Sequence, residues 1–592
     1  MTPVATPNDA VTAAASRLGV ERGGLVGLVV APGVAVGLAT GRERLAIAVG
    51  CAPEELVREL DERFRPRWVT WSGDTAATLI RSGVRLATCW DVAAVHRLLF
   101  GGWKADPARV WAGTHGLPID GLPSDGPPNL FSHRDLDAGE LEAPVRHDGY
   151  LRPDWVQGGW AATAERTARW AEQALVVASG QGAKLAALRD RPRCGAVARS
   201  ESTAELLCAE LAHDGLPLDR AAAEQILGDL IGPRPASEAD AAAGRARRDA
   251  AVFAHIPGGV DIDLRSPGQV KALFGRLGID LPDTRAWRLR AMADEHPVIA
   301  AFLAWRKAER VATTYGYGWL DEHLADDGRL RGDWTGCDGA AGRMTASAGL
   351  HNMPADFRTA VIAEPGHVFV RADLGQIEPR VLAAVSADKS FAAASHADDM
   401  YAPVADELGV DRATAKVAVL GAMYGQTTGH GANAMRGLRA TYPVAVAYLE
   451  AADRSARAGQ DLRTYGGRRI PMGSPGGLPG VGGERRPGER ELAGRAAARG
   501  RYGRNAMVQG AAAELFKMWA VTVRARAAAY DARIVLCLHD ELLIQTPVAQ
   551  GDAVAALVGD CLGEAARRWA PDGSVRFVAD IVTISRWSDA KG

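Results

Sequence analysis

Residues 535–547 read V-L-C-L-H-D-E-L-L-I-Q-T-P, an apolar run of strand length with three ionisable side chains, His539, Asp540 and Glu541, in its middle. A buried strand reads as a short apolar run bounded by turn signals. Ionised carboxylates are costly to bury unless a partner or a metal neutralises them. The run is therefore expected to form a hairpin with Asp540 at the bend, in a fold that gives the carboxylates something to hold. At 592 residues the chain is too long for one core, so two or more domains are expected.

The net charge is about −2 at pH 7, so any nucleic-acid surface must be local. The seven cysteines (51, 89, 194, 208, 337, 537, 561) form no C-x-x-C pair, which argues against a zinc site or a disulfide scaffold and fits a reducing cytoplasm. The polar start, M-T-P-V-A-T-P-N-D-A, shows no signal peptide. Gly23 to Thr40 is eighteen uncharged, mostly apolar residues, but Pro32-Gly33 divides it, so two short strands and a turn are expected rather than a membrane span.

Residues 1 to about 195 mix short strands with helical patterns and include a polar, Pro-rich stretch at about 107–153. From about Ser200 helical spacing dominates, with 205–213, 221–231, 270–277 and 294–315 as helices and 232–247 small and polar. An acidic, Gly-rich patch occupies 321–342, and the Gly- and Pro-rich insert 466–488 reads as a flexible loop.

Two further stretches belong with the first. V-F-V-R-A-D-L-G-Q-I-E-P-R (368–380) is an apolar strand ending in Asp373, where a carboxylate is well placed to hold a metal at a sheet edge. R-A-T-A-K-V-A-V-L-G-A-M-Y-G (412–425) spaces Arg412, Lys416, Leu420 and Tyr424 four apart, one slowly winding helical stripe. Its cationic and aromatic ends suit a phosphate tail and a flat ring. Singly, these stretches also read as a strand-end cap, a solvated helix face and a plain hairpin turn.

Their joint occurrence in this order resembles the three polymerase motifs of family A DNA polymerases, the bacterial DNA polymerase I group. The family's D-Y-S-Q-I-E-L-R stands here as D-L-G-Q-I-E-P-R, its R-x-x-x-K-x-x-x-F-G-x-x-Y-G as R-A-T-A-K-V-A-V-L-G-A-M-Y-G, and H-D-E is unchanged. G-R-M-T-A-S-A-G-L-H-N-M-P (342–354) resembles the family's template-primer segment and R-Y-G-R-N-A-M-V-Q-G (501–510) its minor-groove segment. The resemblance runs from about residue 200 to the end.

It implies a mixed α+β multidomain chain: a right-hand polymerase fold, with an antiparallel palm sheet and helical thumb and fingers, preceded by an α/β RNase H-like exonuclease-type domain. The implied division is 1–195 degenerate 3′–5′ exonuclease-like domain, 196–325 start of the polymerase domain and thumb, 326–392 first part of the palm, 393–500 fingers and 501–592 second part of the palm. The implied activity is DNA-templated extension of a primer 3′-hydroxyl with dNTPs by two-metal phosphoryl transfer, releasing pyrophosphate, in repair or replication gap filling. Two Mg²⁺ ions, with Mn²⁺ as a substitute, are implied on Asp373, Asp540 and the backbone carbonyl of Leu374, with Glu541 supporting them. Asp373, Asp540, Glu541 and Lys416 are the implied catalytic set. Arg412, Lys416, Leu420, Tyr424, Gln376, Glu378 and Tyr401 would meet the nucleotide, and Arg343, Asn352, Arg501, Asn505, Gln509 and His539 the DNA. The implied partners are primer-template DNA and dNTPs, with no membrane, and a cytoplasmic, nucleoid-associated monomer is expected.

The sequence departs from the pattern at Leu374 (Tyr in the family), Gly375 (Ser), Pro379 (Leu), Tyr401 (a phosphate-contacting His) and Leu420 (an aromatic). These bear on speed and nucleotide selection, not on the reaction class. In the amino-terminal third, the four carboxylates of a proofreading site are not matched. No Asp or Glu lies between Glu21 and Glu43, Asp91 stands at the second position, and R-W-A-E-Q (169–173) lacks the last Tyr and Asp. One acid in four cannot hold two divalent cations, so no proofreading is expected, and no 5′-nuclease domain is expected either. A single-subunit RNA polymerase is the nearest rival; Glu378, which would crowd a ribose 2′-hydroxyl, and H-D-E in place of H-D-S argue for DNA. A catalytically dead scaffold is opposed by the joint presence of Asp373, Lys416 and Asp540.

Overall fold

The computed structural model describes residues 7–48, 53–122, 142–258, 262–425, 431–473 and 489–590. It divides into two compact units: residues 1–214, 333–345 and 366–583, and residues 215–332, 346–365 and 584–592.

In the first unit, the apolar halves on either side of Pro32-Gly33 form strands β1 (Leu25–Ala31) and β2 (Ala35–Ala39). Gly33 turns the chain between them at φ +75°, a conformation that suits glycine. β3 (Arg44–Ala48) pairs antiparallel with β2, while β4 (Arg67–Thr70) runs parallel to β1 and β5 (Cys89–Asp91) parallel to β4. The sheet order is β3-β2-β1-β4-β5. Helix α1 (Ala164–Ala187) lies across β1 and β2 at very short range. A Cβ on Gly27 would sit 2.3 Å from the Ala171 carbonyl oxygen, and one on Gly37 2.4 Å from that of Thr167. Only strands without side chains at those points admit the helix so closely.

The same unit holds a second sheet of β6 (His367–Leu374), β7 (Arg533–Cys537), β8 (Glu541–Pro547) and β9 (Ala579–Ile584), in the order β7-β8-β6-β9. β8 pairs antiparallel with both β6 and β7. α2 (Cys194–Asp214) packs on a 39-residue helix, Glu489–Ala527. The 39-residue helix is α5 (Glu489–Ala527); it lies against β7, and α3 (Ile377–Ser386) and α4 (Arg412–Tyr424) pack on it. Buried Lys517 on α5 donates to the Gly336 and Gly342 carbonyls (3.1 and 2.8 Å) and pairs with buried Glu201 on α2 at 2.5 Å. Arg468 pairs with the same carboxylate at 2.5 Å.

That last contact corrects one expectation. The insert 466–488 is not a loop throughout: Leu462–Arg463 pairs with Arg469–Ile470, Gly466 donates its N–H to Glu514, and Arg468 is buried. Residues 474–488 lie outside the described residues. In the Pro-rich stretch Pro107–His115 is helical, because Asp106 caps it and Pro107 opens it; residues 123–141 lie outside the described part.

The second unit is mostly helical, with Glu238–Phe253, Pro267–Arg276 and Pro297–Thr314 around a core that includes Phe274, Phe302 and Trp305, and Arg220–Ile231 against Pro297–Thr314. The small, polar segment at 232–247 becomes part of a helix because Ser237 caps it, accepting the Asp240 N–H. Among the described residues no helix is long and apolar enough to cross a membrane.

Candidate active site

Strand register assembles the carboxylates. β6 and β8 are aligned so that Asp373 lies opposite Glu541. The Leu374 N–H donates to the Asp540 carbonyl at 2.8 Å, and the Leu538 N–H closes the bend on the Glu541 carbonyl at 2.8 Å. Asp540 therefore sits at the tip of the β7–β8 hairpin, as the sequence led us to expect, beside the end of β6. Burial comes first in raising the Asp373 carboxyl to about 6, with Asp540, Glu541 and Asp580 adding to it against Arg371. Asp540 reaches solvent, yet the protein around it, then Glu541, pushes its carboxyl up as well. Among the described residues no group of three or more His, Cys, Asp or Glu side chains forms a metal cage. Two crowded carboxylates at the ends of two inner strands nonetheless match Mg²⁺, which takes one or two carboxylates together with substrate phosphates and waters.

After β6 the chain turns sharply. Gln376 takes φ +46°, and the Gly375 N–H donates to the Val578 carbonyl at 2.9 Å. A Cβ on Gly375 would lie 2.9 Å from a Val578 methyl, so glycine suits the close approach. The Gln376 side-chain oxygen accepts from the Met400 N–H and from Arg380, both at 3.2 Å. Buried Arg380 in turn donates to the carbonyls of Gly375, Ala397 and Asp398. This brace directs α3, and with it Glu378.

Glu378 is held from two sides: Arg343 donates to one carboxylate oxygen at 3.0 Å and the Tyr424 hydroxyl to the other at 2.8 Å. Burial, then Glu378, pushes the Tyr424 phenol up to about 12, so it remains a donor. Tyr424 also meets Gln509 of α5. Sequence-distant candidates Arg343, Glu378, Tyr424 and Gln509 thus converge.

On α4, Arg412 and Lys416 are exposed, Leu420 is half-buried against the core, and Tyr424 closes the stripe. Asp411 caps the helix by accepting the Thr414 N–H at 2.9 Å. Arg412 pairs with Asp399 and lies 5.7 Å from the ring centre of buried Tyr401. Tyr401 is therefore a packing partner of the Arg412 side chain. On α5 Arg501 is exposed with its stem against Gly425, and the buried side-chain oxygen of Asn505 has no hydrogen-bond partner. His539 is exposed, and its imidazole is shifted down by burial and then by Arg343. Asn352 belongs to the second unit, ending the short turn Leu350–Asn352, with its carbonyl accepting from Arg310.

One charged residue of the site was not singled out from the sequence. Arg371, two residues before Asp373 on β6, is buried and touches Asp373, Glu541 and Asp580. Its signal was alternation: in V-F-V-R-A-D, Arg371 and Asp373 fall on the same face of a strand.

The model of DNA polymerase family A matches residues 238–589. DNA polymerase I of Chloroflexus aurantiacus is 30% identical over 337 residues, covering 50% of this chain and 34% of that protein. DNA polymerase I of Deinococcus radiodurans is 27% identical over 380 residues, 57% of this chain and 37% of its own length. The chain thus spans about a third of the length of the curated relatives it matches. A solved structure described as the POL domain of Pol1 from M. smegmatis in complex with DNA primer-template and dNTP shares the fold, with a TM-score of 0.67, 19% identity and 99% of both chains covered.

Proposed function

Because the chain belongs to DNA polymerase family A, we propose that it is a DNA-templated DNA polymerase that adds dNTPs to a primer 3′-hydroxyl and releases pyrophosphate. The observation that carries this reading is the meeting of Asp373 with the Asp540–Glu541 bend at the ends of two inner strands, with the helix that carries exposed Arg412 and Lys416 joined to Glu378 through Tyr424. Members of this family use divalent metal ions, and Asp373 and Asp540 are the side chains that would hold Mg²⁺ here, with the Leu374 carbonyl beside them. When bound, the ions lower the cost of forming the attacking oxyanion and of releasing pyrophosphate.

The chain's own groups do the rest. Arg412 and Lys416 bind the triphosphate, and their charges favour departure of its β- and γ-phosphates as pyrophosphate. Tyr424 and Leu420 lie against the sugar and base, and Gln376 holds the turn that orients α3. Glu378, fixed by Arg343 and Tyr424, stands where a ribose 2′-hydroxyl would have to go, so dNTPs are selected. Arg501, Asn505, Gln509 and His539 contact the primer-template, and Asn352 is a DNA contact of its own unit. Residues 196–325 serve as the start of the polymerase domain and the thumb, 326–392 and 501–592 as the palm and 393–500 as the fingers. We place the enzyme as a monomer in the cytoplasm, in gap filling during repair or replication.

Residues 1–195 are read as an exonuclease-like domain without nuclease activity. The sheet order and its one antiparallel run support the architecture. Tryptophans fill the interior beside it: Trp71 and Trp170 stack at 4.4 Å, with Trp155 6.1 Å from Trp170. Asp91 is buried and caps a helix, accepting the Ala94 N–H at 2.8 Å, so it holds structure rather than a cation.

Primer extension on a primed template with Mg²⁺, with dNTPs and rNTPs in separate reactions, tests the proposal. The Asp540→Ala variant is expected to lose several kcal/mol of transition-state stabilisation, on the order of 10³-fold in rate. Its DNA affinity should largely survive, because that rests on phosphate contacts. Extension by Asp540→Ala at the wild-type rate would overturn the assignment.

A further inference from the structure

Arg371 sits where a cation is needed and a side chain already supplies one. Alternation on β6 puts it on the face of Asp373, and register puts Glu541 of β8 opposite Asp373. Its Nη2 reaches Asp373 at 2.5 Å, its Nε reaches Glu541 at 3.0 Å and its Nη1 reaches Asp580 at 3.2 Å. Three nitrogens meet three carboxylates from three strands. The guanidinium side chain is 6% exposed and that of Glu541 6%, whereas Asp373 is 34% and Asp580 67% exposed. The buried half of the cluster is a fixed ion pair, and Asp373 is its outward member. Arg is charged at every working pH, and its planar fork suits several carboxylates at once.

Resting on the reading of Asp373 as a metal carboxylate, we propose that Arg371 is a positioning residue that holds the place of a divalent cation. It keeps Asp373 in line while no metal is bound, and it must release that carboxylate oxygen before a divalent ion can use it. The pairs to Glu541 and Asp580 retain Arg371 in the sheet after the exchange. The consequence is a built-in threshold: the site fills only at divalent concentrations high enough to displace the guanidinium.

The test is titration of the full chain with Mn²⁺, without DNA or nucleotide, following free Mn²⁺ by electron paramagnetic resonance. Arg371→Gln removes the charge and keeps the length. It is expected to bind Mn²⁺ about tenfold more tightly than wild type, the scale of one charge-assisted hydrogen bond. Arg371→Lys, with one ammonium in place of a fork, should fall between them, and it carries the test alone if Arg371→Gln does not fold. The Mg²⁺ concentration for half-maximal primer extension should fall in parallel. Mn²⁺ binding by Arg371→Gln and Arg371→Lys no tighter than wild type, with all three tighter than Asp373→Asn, would overturn the proposal alone. Equal binding by wild type and Asp373→Asn would remove Asp373 as a metal carboxylate, and this proposal with it.

Discussion

At the scale of single residues, the site is a set of charges held against their own repulsion. Asp373 titrates at about 6 in the fold and near 3.9 in an unfolded chain. Between those values the native state keeps a proton that the unfolded state has lost, so the stability this group contributes falls as pH rises from about 4 to about 6 and stays lost above. Without metal, Asp373→Asn should therefore melt above wild type by a margin that grows from pH 4.5 to pH 7. Thermal melts in chelator read this directly, and a margin independent of pH contradicts it. Glu378 gives a second expectation. Glu378→Ala opens the space of a 2′-hydroxyl and should admit rNTPs more readily by about 1–3 kcal/mol, roughly ten- to a hundredfold. It should also slow dNTP addition, since Arg343 and Tyr424 lose the carboxylate they share. Competition between a dNTP and its rNTP measures the ratio, and an unchanged ratio places the gate elsewhere. Residue types in order along the chain made Asp373, Asp540 and Glu378 legible. Arg371 was not, because an arginine inside an apolar run carries no motif, and only strand register shows what it faces. Tyr401 likewise takes a nucleotide-contacting position by resemblance to the family, and its packing against Arg412 required the structure.

At the scale of elements, helices and strands with strong local signals formed where the sequence put them. The stripe of α4, the paired strands around Pro32-Gly33 and the hairpin at Asp540 each rest on periodicity or turn chemistry over a few residues. The insert at 466–488 misled because Gly and Pro content reports on backbone freedom and not on burial. Glu201 and Glu514, remote in sequence, are what draw its first residues inward. Close packing of α1 on β1 and β2 depends on Gly27 and Gly37, which leads to a stability prediction. Gly27→Val drives a side chain into the Ala171 carbonyl and should cost about 1–3 kcal/mol or more by overpacking. Gly33→Ala meets no neighbour and should cost only the left-handed backbone strain, about 1–2 kcal/mol. Calorimetry should show the larger loss for Gly27→Val, and the reverse order would refute this account of the helix–sheet contact.

At the scale of the whole molecule, length called for two or more domains and the near-neutral charge left room only for a local nucleic-acid surface, but neither told how the segments group. α2 belongs to the first compact unit, although nearly all of it lies beyond residue 195, because buried charge ties it to α5. Pairings between residues hundreds of positions apart leave no local trace in a single sequence. The proposed loss of proofreading belongs to this scale too. A labelled single-stranded oligonucleotide incubated with the chain, Mg²⁺ or Mn²⁺ and no dNTP should keep its 3′ end. Shortening that persists in Asp373→Ala would show a working nuclease in residues 1–195. The order of pairing in the second sheet also bears on how the protein is made. β6 leaves the ribosome first, and both of its neighbours, β8 and β9, lie more than 160 residues downstream. At translation speeds of 5–20 residues per second, β6 waits about ten to thirty seconds with both edges unpaired. A nascent His-Val-Phe-Val-Arg-Ala-Asp-Leu strand is the kind of segment that sticks to its copies, and a charge in its middle is the usual protection against that. Arg371 puts a charge in the middle of that strand, and ribosomes stalled short of residue 541 yield a product whose acids have never met.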